Sequence, residues 1–207
     1  MGKITKIIKK MVGKEEIINP IVDPYKYTGN LNSYSGGSLE EKNILIVVSH
    51  QDTYDSVKEW ASDFEAKVAV EKQENIIDIT SSSATLIGPF TNIINIIYDA
   101  DSKDINSVYE VYNLLQIESN YLIEVANKGS ISTAFISDKN ENCKAIESLI
   151  KGLSLAIGEH GVIENGLIAN KSVQLHDIFN SLSYINSKYG YILAGEVLIL
   201  SEDKSNG

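Results

Sequence analysis

From Asn43 to Leu200 the hydrophobic positions alternate between two periodicities. Ile44-Leu-Ile-Val-Val48 is an unbroken aliphatic run, the pattern of a strand buried on both faces of a parallel sheet. After it, apolar positions recur at helical spacing from about Thr53 to Phe64. The same alternation predicts strands at Lys67 to Val70, Asn75 to Ile79, Asn92 to Ile97, Ser130 to Ile136, Val162 to Ala169 and Glu196 to Leu200. Helices are predicted from about Ile105 to Asn127, Asn142 to Glu159 and Leu175 to Asn186, the second ended by Gly161. Strands separated by helices require crossover connections, so the pattern implies an α/β, doubly wound, mostly parallel sheet of six or seven strands with helices on both faces. No repeat of fixed period is present, which removes solenoids and propellers.

The first 42 residues break this pattern. Lys3, Lys6, Lys9, Lys10 and Lys14 interleave with Ile4, Ile7, Ile8 and Met11, so residues 1–14 read as a short basic amphipathic helix. Such a helix either docks on an anionic membrane surface or an acidic partner groove, or it packs on the core as a leader that is marginal alone. Residues 15–42 carry Pro20, Pro24, Gly29, Gly36 and Gly37 among Asn, Ser and Tyr, and read as a linker or extended arm. The folded domain is expected over residues 43–201, followed by a disordered tail at 202–207.

Composition narrows the function classes. At 207 residues and 43% hydrophobic content the chain can bury one sizeable core, as a single domain does. A net charge of −10 offers no footprint for a phosphate backbone, so no nucleic-acid partner is expected. One cysteine, Cys143, and three histidines, His50, His160 and His176, provide neither a disulfide framework nor zinc-ligand spacing. No apolar stretch long enough to span a bilayer and no secretory leader pattern is visible, so a cytoplasmic location is expected.

Several segments resemble the short-chain dehydrogenase/reductase family. Ala145-Ile-Glu-Ser-Leu-Ile-Lys-Gly-Leu-Ser-Leu-Ala-Ile-Gly-Glu-His-Gly161 is similar to its long sixth helix. That run flows into Val162-Ile-Glu-Asn165-Gly-Leu-Ile-Ala169, which resembles its sixth strand with the family's asparagine at Asn165. Gly195-Glu196-Val197 resembles the closing Gly-Glu-Val strand, and Asp78-Ile79-Thr80 looks like the Asp-Val turn beside the adenine ring. The resemblance covers roughly Asn43 to Leu200 and implies a Rossmann-like sheet.

The departures carry the functional reading. The family's Gly-rich turn lets a pyrophosphate approach a helix N-terminus, whereas here the turn reads Ser49-His50-Gln51-Asp52-Thr53-Tyr54-Asp55 without glycine. Asp52 and Asp55 would add like charge beside a diphosphate. The family's chemistry needs a tyrosine with a lysine four residues later. Ungapped registers place Lys139 and Cys143, or Asn140 and Lys144, at those positions, and no tyrosine lies between Tyr121 and Tyr184. Ser132 or Ser137 could stand near the family's catalytic serine. The cofactor-lining Asn-Asn-Ala-Gly becomes Tyr98-Asp99-Ala100-Asp101, and the Pro-Gly turn after the sixth strand becomes Asn170-Lys171. Ser49, Asp78 and Asp99 are thus vestigial cofactor positions, with no catalytic or metal residue assigned.

Each remaining candidate has a plain alternative. His50 reads as an acid/base group or as a capping or loop histidine. Asp99 with Asp101 reads as a chelating pair or as a solvated turn. Cys143 reads as a thiolate at a helix N-terminus or as a buried inert thiol, and His160 as a helix C-terminal residue capped by Gly161. The expected function is a non-catalytic short-chain dehydrogenase-like protein, without cofactor, acting as a binding or assembly subunit in a biosynthetic or regulatory system. The alternative is a divergent NAD(P)-dependent oxidoreductase, or a small-ligand-binding enzyme with a displaced site. The helices of Val108 to Val125 and Ile146 to Ile157 carry apolar residues around much of their circumference. They are therefore expected to form a homodimer, or a heteromer with a related dehydrogenase, through Leu115, Leu149 and Leu153.

Overall fold

A computed structural model of the protein describes residues 42–64, 66–76, 87–99, 106–187 and 193–201. The basic N-terminal helix, the arm up to residue 41 and the tail expected at 202–207 lie outside the described residues. Strand β1 (Asn43–Val48) leads through two residues into helix α1 (Gln51–Ser62) and strand β2 (Lys67–Lys72). Residues 73–75 form one 3-10 turn. The strand expected from Asn75 therefore does not begin there, and its residues 77–79 are outside the description. Strand β3 (Asn92–Tyr98), helix α2 (Asn106–Tyr121), strand β4 (Gly129–Ile136), helix α3 (Asn140–Gly158), strand β5 (Val162–Ala169), helix α4 (Leu175–Ile185) and strand β6 (Val197–Leu200) follow.

The six strands form one sheet in the order β2-β1-β3-β4-β5-β6, and every pairing among them is parallel. The doubly wound architecture expected from the pattern is therefore the one observed. One face carries Leu45, Val47, Ile93, Ile97, Ile131 and Phe135 against Val111, Leu115, Ile146 and Ile150 of α2 and α3. The other carries Ile44, Ile46, Ile94, Ile96, Leu167 and Ala169 against Val57 and Ala61 of α1 and Ile178 and Leu182 of α4. Because successive strand residues point to opposite faces, β1 and β3 must be apolar at nearly every position, as their sequences are. On the second face the Trp60 indole stacks on Phe179 at 4.6 Å and 5°, fastening α1 to α4.

Helix α2 does not end by fraying. Its last turn widens into a π-turn at Leu122–Ala126, closed by Asn127 in the left-handed region at φ 60°, a common way to stop a helix. The chain then enters β4 at Gly129, where any Cβ would stand 2.5 Å from the Thr91 carbonyl oxygen and 2.8 Å from Leu122 Cδ2. Only glycine lets the helix end and the strand start this close together.

Much of the second apolar stripe read on α2 and α3 is consumed by the monomer itself. Leu115, expected at an interface, is fully buried because it faces the sheet and not solvent. Leu149 and Leu153 are half-buried against the same core. The large apolar side chains left exposed on these elements are Tyr109, Tyr112, Val125 and Leu155, the last at 85%. Among the described residues no helix is long and apolar enough to cross a membrane.

Candidate functional site at the switch point

The chain runs from β1 outward to β2, then returns to the other side of β1 as β3. That reversal opens a crevice beyond the carboxyl ends of β1 and β3, where open α/β sheets bind ligands. A cleft of about 550 Å³ lies there, lined by Ser49, His50, Tyr98, Asp99, Ser107 and Lys171 among others. A second, of about 450 Å³, adjoins it and shares Ser49, Gln73 and Glu110.

The turn after β1 is short and tied down. Ser49 donates its N–H to the Ile96 carbonyl at 3.1 Å, and its Oγ accepts the Tyr98 N–H at 2.8 Å. His50 is extended at the N-cap of α1 but makes no side-chain capping bond. Its ring instead leans on Tyr98 at 5.4 Å and stands 4.0 Å from the exposed Asp52 carboxylate. Asp52 occupies the first turn of α1, so the positive end of the helix dipole already meets a negative charge of the chain's own.

Asp99, at the end of β3, is the best-connected group of the crevice. Although it ends a strand facing the cleft, it is nearly fully buried. Its Oδ2 accepts the Ser137 hydroxyl at 2.6 Å and the Asn142 amide at 3.0 Å, with the Lys139 ammonium 3.7 Å away. Among the described residues the other oxygen, Oδ1, has no hydrogen-bond partner. Burial works against the charged form, but Ser137, Ser107, Asn142 and Lys139 together outweigh it and hold the carboxyl below its usual range, as bonds to the ionised form must. Asp99 is therefore neither a solvated turn residue nor, among the described residues, part of a metal-binding group. Asp101 and Asp78 lie outside the described residues.

The residues standing at the family's tyrosine and lysine positions fall at the start of α3. Lys139 is its N-cap, Asn140 and Lys144 are exposed, and Cys143 is half-buried with its S–H directed at the Ser137 carbonyl, 3.6 Å away. Burial pushes the Cys143 thiol up, the Ser137 contact opposes this, and Asp99 adds to it; the shift runs against the thiolate reading, with burial as its largest cause. Ser137 is buried behind the crevice residue Asp99, to which it donates, whereas Ser132 lies in the interior bonded to Asn186 at 3.1 Å. Asn165 is buried in β5. In the turn after β5, the Lys171 N–H reaches Asp138 Oδ1 at 3.0 Å. His160 lies in the turn just past the end of α3, its N–H bonded to the Ile157 carbonyl, beside Gly161, which sits at φ 74°.

The fold is that of a short-chain dehydrogenase. The short chain dehydrogenase from Leptospira borgpetersenii serovar Hardjo-bovis strain JB197, solved with bound NAD+, superposes with a TM-score of 0.59 at 13% identity, covering 86% of this chain and 96% of that one. The protein called gox2181 superposes with a TM-score of 0.56 at 9% identity, covering 83% and 97%. No protein-family model matches the chain, and no curated protein does.

Two features were missed in the sequence. The partners of Asp99 lie 38 and 43 residues away, beyond any local pattern. The buried glutamates Glu118 and Glu164 had a visible signal, since Glu118 falls at helical spacing among Leu114, Leu115, Tyr121 and Leu122, and Glu164 interrupts an apolar strand. A charged residue on an apolar stripe marks a buried polar site.

Proposed function

We propose that this chain is a non-catalytic protein on the short-chain dehydrogenase fold, serving as a binding or assembly subunit. The observation that carries the reading is the buried Asp99 carboxylate, held ionised at the mouth of the crevice. A dinucleotide phosphate approaching there would meet Asp99, and Asp52 on the first turn of α1. No glycine turn is present to admit it, and no arginine occurs anywhere in the chain to clamp it.

The shifted groups at this edge also point away from proton transfer. Burial raises the Tyr98 phenol and the Cys143 thiol, while Asp99 is displaced downward. A general acid or base works best with its pKa near the working pH, and each of these three moves away from neutrality. The test is titration of the full chain with NADH and NADPH, followed by nicotinamide fluorescence or calorimetry. Binding no tighter than about millimolar is expected, given the several kcal/mol of phosphate contacts forgone. Micromolar binding overturns the reading.

The partner we propose is a second copy of the chain, seated on the outer face of α2. Among the described residues the exposed positions of this helix are Tyr109, Glu110, Tyr112, Gln116 and Asn120, so one charge appears on a face where a protein of net charge −10 would ordinarily carry several. Interface cores are rich in tyrosine and poor in charge. A like-charged copy is repelled less at a face that is nearly neutral.

A further inference from the structure

Between α2 and the sheet lies a polar group of residues that the crevice does not use. Glu118 on α2 and Glu164 on β5 are both fully buried. The amide of Asn95 on β3 donates to Glu118 Oε2 at 2.8 Å and to Thr133 Oγ1 on β4 at 3.2 Å. Among the described residues Glu118 Oε1, both oxygens of Glu164 and the Asn95 carbonyl oxygen are buried without hydrogen-bond partners. Two carboxyl groups thus share an interior with one amide donor between them.

The packing around them is apolar. The layer holding them is built from Leu115, Ile131, Phe135, Ile146 and Ile150. Two further titratable groups belong to it. Tyr121 accepts the Phe90 N–H through its hydroxyl at 2.9 Å, and Cys143 is turned toward Ser137 and influenced by Asp99 and Asp138. Among the described residues no lysine or histidine lowers either glutamate. A buried ionised carboxylate without a cation is costly, while a protonated one supplies the hydrogen-bond donor this cluster lacks.

We propose that Glu118 and Glu164 form a proton-dependent clamp, holding α2 to the sheet while both carboxyls are protonated and releasing it when they ionise. The electrostatics run the same way. Burial pushes Glu118 up to about 8 against the opposing Asn95 bond, and burial followed by the neighbouring Glu118 raises Glu164 well above 4.5. Above 4.5 the unfolded chain sheds protons that the folded chain keeps, so stability falls as pH rises toward the folded values. Each retained proton raises the unfolding constant about tenfold per pH unit through that window.

The test is urea unfolding of the full chain from about pH 5.5 to about pH 8.5, alongside the double variant Glu118→Gln, Glu164→Gln, which carries the shape of the protonated acids and cannot titrate. A falling stability in the wild-type chain and a flatter profile in the variant are expected; equal slopes overturn the clamp. Should the variant not fold, infrared spectroscopy of the wild-type chain decides. The carbonyl stretch of buried protonated acids should persist at neutral pH and bleach in alkali, and its absence at neutral pH overturns the proposal. Calcium chloride that restores alkaline stability where choline chloride of equal ionic strength does not would overturn it as well, by showing that a cation and not a proton neutralises the pair. Amide exchange in Val111 to Leu122, corrected for intrinsic rate, should accelerate with pH ahead of the rest of the chain; uniform acceleration argues against release of α2.

Discussion

The Ser137 hydroxyl donates a 2.6 Å hydrogen bond to Asp99 Oδ2, joining the end of β4 to the end of β3. The same oxygen of Ser137 accepts the Lys139 N–H at 3.0 Å, so one hydroxyl both stabilises a buried charge and fixes the entry to α3. Asp99 thereby acts as a structural tie where the fold offers a ligand crevice.

Ser137→Ala should therefore destabilise the protein by about 1.5–3 kcal/mol at neutral pH, the range for a bond to a buried charge. The cost should depend on pH in a definite sense. The folded-state pKa of Asp99 is depressed, so its stabilisation is present above the unfolded value of 3.8 and is lost as pH falls through the folded one. The gap between wild type and variant in urea denaturation should narrow on acidification. A gap that stays constant into strong acid would show that the hydroxyl acts on something other than the carboxylate.

The sheet was legible because both of its requirements are local. Runs such as Ile44 to Val48 can be satisfied only by burial on two faces, and the helix ends lie within two residues of the expected ones except at the C-terminal end of α2, where the α-helix stops at Tyr121 and not at Asn127. The π-turn at Leu122–Ala126 was not legible, since its residues continue a helical period and the widening answers a constraint at Gly129 and Thr91. Leu115 was misplaced for a related reason. An apolar residue on a helix surface reads the same whether the sheet or a partner covers it, and only the rotation of α2 decides. The Asp99 cluster was invisible because it is assembled from the ends of β3 and β4 and the start of α3.

Three glycines should respond to alanine in a fixed order. At Gly129 the new Cβ meets the backbone oxygen of Thr91 at 2.5 Å, and neither strand can retreat, so the cost should reach about 3 kcal/mol or more. At Gly166 it meets the ends of the buried Ile150 side chain at 2.8 Å and the half-buried Val197 side chain at 2.9 Å. These can shift partway, for a cost of about 1–3 kcal/mol. At Gly152, within α3, nothing lies within 4 Å, and alanine should stabilise by about 0.5–1 kcal/mol. Urea midpoints that break this order would mean that helix and sheet do not approach as closely as the three distances require.

The self-association surface can be separated from the core by charge. Leu115 is fully buried, so Leu115→Lys places an unpaired charge in the interior and should cost more than about 4 kcal/mol, enough to unfold a domain of ordinary stability. Tyr112 is 40% exposed and its ring stacks on Tyr109 at 6.5 Å, so Tyr112→Lys should leave the fold intact. In a two-fold dimer each altered face meets its own copy, which brings two introduced charges together and removes two tyrosines that occupy the kind of central position where truncation costs about 2 kcal/mol. Light scattering of the full chain should show a dimer, and Tyr112→Lys should weaken it at least thirtyfold, the equivalent of about 2 kcal/mol, with unchanged circular dichroism. Leu155→Lys, at the most exposed large apolar residue of α3, should weaken it less if α2 forms the centre of the contact. A wild-type chain that scatters as a monomer across the accessible concentration range removes the second copy as partner while leaving the cofactor titration to be judged alone.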